Sequence, residues 1–171
     1  FTPPFTQLNT PYPATAYLKG FLNTKKIRSF QADLGIEVTL ALFSKQGLIN
    51  LFAFIDSANS VNLSANATRI ISLKDDYIKY IDPVIHFLQG KDPTLAHLIC
   101  KRDMLPEASR FAQMDDLSLA FGYMGIQDKA RHIATMFLED LSDLVTECAD
   151  PHFGFSRYAE RLGRSANSFD E

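Results

Sequence analysis

The stretch from Gln127 to Cys148 constrains the fold more than any other. Ile133, Phe137, Leu141, Leu144 and Cys148 recur at helical spacing, while Glu139, Asp140, Asp143 and Glu147 fall on the other side. The pattern predicts one amphipathic helix of about 33 Å, at 1.5 Å per residue. A helix that long hides its apolar stripe only by packing against several others, and its carboxylates are expected to face water.

Helical spacing extends upstream and is punctuated by proline. Ala14 to Asn23 repeats apolar residues at Leu18, Phe21 and Leu22, with Pro13 suited to the first helical position. Ile36, Leu40, Phe43, Leu48, Leu51 and Ile55 predict a long helix, kinked or split at Gly47. Ser57 to Thr68 is small and polar and reads as a loop. Its sequons at Asn62 and Asn66 are chance matches without a secretion signal.

Ile70, Leu73, Tyr77 and Ile81 form a further stripe. Asp82-Pro83 and Asp92-Pro93 each place a capping carboxylate before a proline, which predicts that a helix restarts at both. Two short helices, through Leu88 and through Ile99, should follow. Pro106 is expected to open another, containing Phe111 and Met114, with the pattern continuing from Leu117 to Tyr123. Only Ile27 to Asp33 alternates apolar and polar side chains as a strand does. The fold class is therefore mainly α, a helical bundle-like arrangement with one short strand. Two regions are expected, 1–58 and 59–171, packed as one unit.

The 171 residues are 46% hydrophobic, enough for a sizeable core, and carry a net charge of −3. That charge argues against nucleic acid and anionic membranes as partners. The longest apolar stretch, Leu48 to Ile55, is broken by Asn50 and is far shorter than the roughly 20 residues that span a bilayer. The two cysteines, Cys100 and Cys148, are too few for an iron–sulfur cluster or structural zinc and read as reduced thiols of a cytoplasmic protein. The chain begins at Phe1 and reads as cut from a longer one.

Familiar chemistries leave marks that are missing. Neither GxGxxG nor GxxxxGK[ST] occurs, so there is no glycine cradle for phosphate, and HExxH and GxSxG are absent too. Paired carboxylates do occur, at Asp75-Asp76, at Asp115-Asp116, and as a ladder of Glu139, Asp143 and Glu147. No histidine joins the ladder at di-metal spacing, so a solvated helix face is the plainer reading. His86, His97 and His132 are scattered through helical patterns as structural histidines would be. Asp150-Pro-His152-Phe-Gly154 approximates the cobalamin motif Asp-x-His-x-x-Gly, with the glycine one position early. Asp150-Pro151 is more simply another helix-restart signal.

The N-terminal segment carries a family likeness. Thr2-Pro-Pro-Phe-Thr-Gln-Leu-Asn-Thr-Pro-Tyr-Pro-Ala-Thr-Ala-Tyr-Leu-Lys-Gly-Phe-Leu22, followed by Ile27 to Asp33, resembles the opening of radical SAM proteins with an N-terminal cobalamin-binding region. Pro3-Pro4 and Ala16-Tyr17-Leu18 match the family's proline-rich loop and following helix, and Asp33 matches its strand-terminal aspartate. The segment from Asp150 to Leu162 is a weaker likeness.

The resemblance implies that the chain is part of an incomplete flavodoxin-like α/β domain of the cobalamin-binding type. It would be the N-terminal accessory region of an iron–sulfur oxidoreductase and not catalytic by itself. Its own residues would hold no metal. The full-length protein would carry a [4Fe–4S] cluster, S-adenosylmethionine and, in some members, cobalamin, and its radical SAM domain would be this region's partner. Ligands in such sheets bind beyond the carboxyl ends of the strands. Pro4, Thr6, Gln7, Asn9, Tyr12 and Asp33 are the implied cofactor-binding residues. The chain departs from the family in lacking Cys-x-x-x-Cys-x-x-Cys and, after Asp33, the histidine motif, since Leu-Gly-Ile-Glu follows. The alternative is a helical interaction or regulatory module, for which 14 Phe and no Trp would furnish an apolar groove. A homodimer would cover the unsatisfied strand edge.

Overall fold

The computed structural model describes residues 13–58, 62–113 and 125–154. Its architecture follows from where side chains take over the backbone N–H groups that open a helix. Helix α1 (Pro13–Thr24) starts on the proline, whose missing N–H costs nothing at that position. After a turn at Lys25 and Lys26, residues 27–32 carry no regular structure. No strand occurs among the described residues, so the expected strand at Ile27 to Asp33 is not formed there. Its alternation spans too few residues to make a ladder without a neighbouring strand. Asp33 then opens α2 (Leu34–Leu42), its Oδ1 accepting from the Ile36 N–H at 3.1 Å.

The predicted long helix from Ile36 to Ile55 is two helices, and the break is not at Gly47. Ser44 adopts an extended backbone and its Oγ accepts from the Gly47 N–H at 3.0 Å, which starts α3 (Lys45–Ser57). Gly47 sits inside the first turn, and the serine cap outweighs the glycine's low helix propensity as the punctuating feature.

Helix α4 (Ala65–Ser72) is capped by Ser64 and gives way at Leu73 to α5 (Lys74–Leu88). The restart expected at Asp82-Pro83 does not occur, because α5 runs through Pro83 without ending. Burial of Ile81, Val84 and Phe87 on either side of the proline holds the helix together against the lost backbone bond. The Asp82 carboxylate caps a different helix, accepting from the Lys45 N–H of α3 at 2.9 Å. Helix α5 ends at Gly90, whose φ of 74° only glycine adopts without strain, and the Lys91 N–H closes the turn onto the His86 carbonyl.

Asp92-Pro93 does restart a helix, as one 3₁₀ turn (Pro93–Leu95) running into the short α6 (Ala96–Cys100). No helix opens at Pro106. Residues 106–108 are irregular and a 3₁₀ turn covers Ser109–Gln113. Met114 and the stretch from Leu117 to Tyr123 lie outside the described residues. The long amphipathic helix is present as α7 (Ile126–Cys148). After it, Asp150-Pro151 leads into a turn and no helix through Gly154.

The chain divides into two compact units, one of residues 42–151 and one of residues 1–41 with 152–171. In the larger unit α7 is the central element. Helices α4, α5 and α6 and the 3₁₀ turn at 109–113 pack on it, while α3 packs on α5. Phe137 of α7 and Tyr77 of α5 stack with ring centroids 5.0 Å apart. Leu48, Ile70, Ile81, Ile99, Ile133, Leu141 and Leu144 are fully buried around them. The smaller unit, described over 13–41 and 152–154, differs: α1 has no buried residue and α2 buries only Gly35.

No single helix among the described residues is long and apolar enough to cross a membrane.

Candidate functional site

The densest set of charged groups with defined partners lies along α7. Glu139, Asp143 and Glu147 recur every fourth residue, so they rise on one face over about 12 Å. They are solvent-accessible, as a solvated helix face requires, yet each also has a protein partner. Asp143 receives Arg110 through two parallel hydrogen bonds of 2.7 and 2.6 Å, and Glu139 lies 3.6 Å from the same guanidinium. Glu147 accepts from both the backbone N–H and the hydroxyl of Ser64, each at 2.7 Å. That hydroxyl in turn accepts from the Ala67 N–H, so Glu147 fixes the first turn of α4.

Asp140 corrects the expectation that the α7 carboxylates face water. It is 0% exposed, although its neighbours in the ladder are half-exposed. Its carboxylate accepts from the backbone N–H groups of Ala108 and Arg110, both at 3.1 Å, and from the Tyr77 hydroxyl at 3.3 Å. Burial raises its pKa above the ordinary carboxylate value, and the two N–H groups and the phenol offset only part of that rise. Burial and the nearby charge of Asp140 push the Tyr77 phenol far up, so it remains a hydrogen-bond donor. The signal for this residue was present in the spacing. Ile133, Phe137, Asp140 and Leu144 are themselves one helical stripe, which places the aspartate on the shoulder of the apolar face.

Asp140, Asp143 and Glu139 therefore fasten Ala108 and Arg110, where the 3₁₀ turn begins. Two more arginines complete the fastening: Arg69 donates to the Glu107 carbonyl at 2.7 Å, and Arg102 meets the Glu107 carboxylate bidentately at 2.7 Å. The Ser109 N–H donates to Asn66 Oδ1 at 3.0 Å. A cleft of about 460 Å³ opens beside this segment, between Ser109, Arg110 and Ala112 on one side and His132, Met136 and Glu139 on the other.

Of the implied cofactor-binding residues, Pro4, Thr6, Gln7, Asn9 and Tyr12 lie outside the described residues. Asp33 is placed at the N-terminus of α2, where its carboxylate shapes the turn from the extended segment into the helix. Asp75 and Asp76 sit in the first turn of α5, where the helix dipole favours negative charge. Asp115 and Asp116 lie outside the described residues. Among the described residues no group of three or more His, Cys, Asp or Glu side chains is arranged to hold a metal ion.

Neither thiol is activated. Burial pushes Cys100 up despite Lys129, and burial together with Glu147 pushes Cys148 up, so both favour the protonated form. The Cys100 thiol donates to the Ile126 carbonyl at 3.4 Å.

No protein family, curated protein or solved structure matches the chain.

Proposed function

We propose that this chain is the N-terminal accessory region of a radical SAM iron–sulfur oxidoreductase of the cobalamin-binding type, with the cluster-bearing catalytic domain outside these 171 residues. Two things support the reading. The first is the likeness carried by Pro3-Pro4, Ala16-Tyr17-Leu18 and Asp33. The second is the order of elements from Pro13, in which a helix is followed by an extended segment and then by an aspartate that caps the next helix.

The observation that carries the reading is the exposure of the smaller unit's apolar side chains. Phe30 is 75% exposed and Tyr17 78%, and Leu18, Phe21, Ile27, Ile36, Val38 and Leu40 are exposed as well. Residues 29–31 lie along α1, with Lys19 Nζ donating to the Ser29 carbonyl at 2.6 Å and Gln31 donating to Thr15 Oγ1 at 2.9 Å. A helix is roughly 10 Å wide and strands are about 4.8 Å apart, so one extended segment covers about half of a helix's width. In this reading 27–32 is one strand of an α/β sheet of the flavodoxin-like kind, and the neighbouring strands cover the remaining apolar surface of α1 and α2. The region then binds and covers, and the chemistry belongs to the cluster domain. Pro4, Thr6, Gln7, Asn9 and Tyr12 would face a corrinoid or substrate at the sheet edge, with Asp33 setting the adjacent turn.

The test uses the parent polypeptide purified without oxygen. It should contain iron and acid-labile sulfide in equal amounts and cleave S-adenosylmethionine reductively to 5′-deoxyadenosine. A cobalt absorption spectrum would establish the corrinoid as well. A parent polypeptide that binds no iron and leaves S-adenosylmethionine intact overturns the proposal.

The same exposed side chains favour a second reading, a helical interaction module that docks a protein partner through α1. Replacing Tyr17 and Phe21 by serine would then abolish capture of that partner while leaving iron content at zero.

A further inference from the structure

We propose that residues 107–112 act as a strap that leaves the 42–151 unit as one piece and opens the adjacent cleft, with the buried Asp140 as its principal fastening. The strap differs from every helix around it in how its backbone is satisfied. Among the described residues, its backbone hydrogen bonds to the rest of the unit run to or from side chains: Ala108 and Arg110 N–H to Asp140, Ser109 N–H to Asn66, and the Glu107 carbonyl from Arg69. Within it, the 3₁₀ turn keeps its own short-range backbone bonds, and the Phe111 N–H donates to the Ala108 carbonyl at 3.1 Å. Such a segment can detach without breaking a backbone hydrogen bond of the α-helices around it, and that is the structural condition for opening below the cost of global unfolding.

What resists detachment is unequal along the strap. Arg110 is about half-exposed, and so are Asp143 and Glu139, so water and salt screen that ion pair. Asp140 is fully buried. The groups that face it are the Tyr77 hydroxyl from α5, the Ala108 and Arg110 N–H groups from the strap itself, and the Asp143 charge from α7, while Arg69 of α4 and Glu107 of the strap act on Tyr77. The Ala108 and Arg110 N–H groups use different oxygens of this carboxylate, so an asparagine, with one oxygen, leaves one of them without its acceptor in a water-poor site, where the loss is largest. Ala108 and Phe111, both buried, leave the core with the strap. Because Ser109, Arg110 and Ala112 form one wall of the 460 Å³ cleft, detachment widens it onto His132 and Met136.

Native-state hydrogen exchange on the full chain, followed amide by amide by NMR, tests this. In the unmodified protein the amides of Ala108, Arg110 and Phe111 should exchange through one shared opening, at least about tenfold faster than amides in the middle of α7. Asp140→Asn should speed exchange of the strap amides by about tenfold or more, with a smaller change in α7. Arg110→Gln should change strap exchange by less than about threefold. The proposal is overturned if the strap amides exchange in step with the middle of α7 in the unmodified protein, since the strap would then open only when the whole unit unfolds. It is equally overturned if Arg110→Gln loosens the strap more than Asp140→Asn does.

Discussion

The two units spend the same kinds of residues in opposite ways. In 42–151, phenylalanines such as Phe43 and Phe137 and isoleucines such as Ile70 and Ile133 disappear into a core, and even an aspartate is buried and satisfied. In 13–41, tyrosine, phenylalanine and valine stand in solvent on helices that bury almost nothing. Helix α1 has apolar residues at helical spacing just as α7 does, so its amphipathic pattern is not the difference. The difference is the supply of facing elements among the described residues: α7 has three helices and a 3₁₀ turn to pack against, whereas α1 has a single extended segment along it. An amphipathic stripe predicts that a surface will be covered and is silent on whether the covering element lies within the same unit.

The contrast can be broken most directly by removing one ring from each unit. Phe137→Ala deletes a fully buried side chain stacked on Tyr77 and should cost about 3–5 kcal/mol in urea unfolding of the 42–151 unit. Phe21→Ala, at a residue 59% exposed, should fall within about 0.5 kcal/mol of the unmodified protein. A loss at Phe21 as large as that at Phe137 would mean that α1 is covered in solution.

Next in size is Asp140→Ala, which strands the N–H groups of Ala108 and Arg110 and should cost about 2–4 kcal/mol by the same measurement. Glu147→Ala removes the two hydrogen bonds to Ser64 and should cost about 1 kcal/mol, the size of a helix cap. Gly90→Ala forces a side chain onto a φ of 74° and should cost about 1 kcal/mol, through backbone strain alone because nothing stands near the added carbon.

The smallest effect is a dependence on pH. Asp140's folded pKa lies above its ordinary value of 3.8, so its neutral form is favoured by folding. The stability it contributes is fully present below 3.8 and is lost as pH rises through the folded pKa. As pH falls from 7 toward 4, the urea midpoint of the unmodified protein should therefore rise relative to that of Asp140→Asn, whose side chain does not titrate. A gap that moves the other way would show that the hydrogen bonds to Asp140 outweigh its burial.

How much of this was legible beforehand depended on how far away the deciding partner lay. Helix α1 starts at Pro13 and α7 spans its apolar stripe, since both are set by periodicity and by residues a turn away. Ser44 was also local, a serine three residues before Gly47, but the apolar stripe running across it hid the cap. The fate of Asp82-Pro83 was not local at all. Its carboxylate serves Lys45, 37 positions earlier, and Pro83 stays helical because its flanking side chains are buried against other elements. In the candidate site, the acidic residues of α7 were visible, but their partners Ser64, Arg110 and Tyr77 lie 30 to 83 positions away. Spacing alone therefore reads those ties as bare surface charge.

The clasp between Ser64 and Glu147 also orders events in time. It joins residues 83 positions apart, so forming it requires closing one of the largest loops in the 42–151 unit before any reward is collected. Substituting Glu147 should leave the refolding rate nearly unchanged and appear almost wholly as faster unfolding, the kinetic signature of a contact made after the rate-limiting barrier has been crossed.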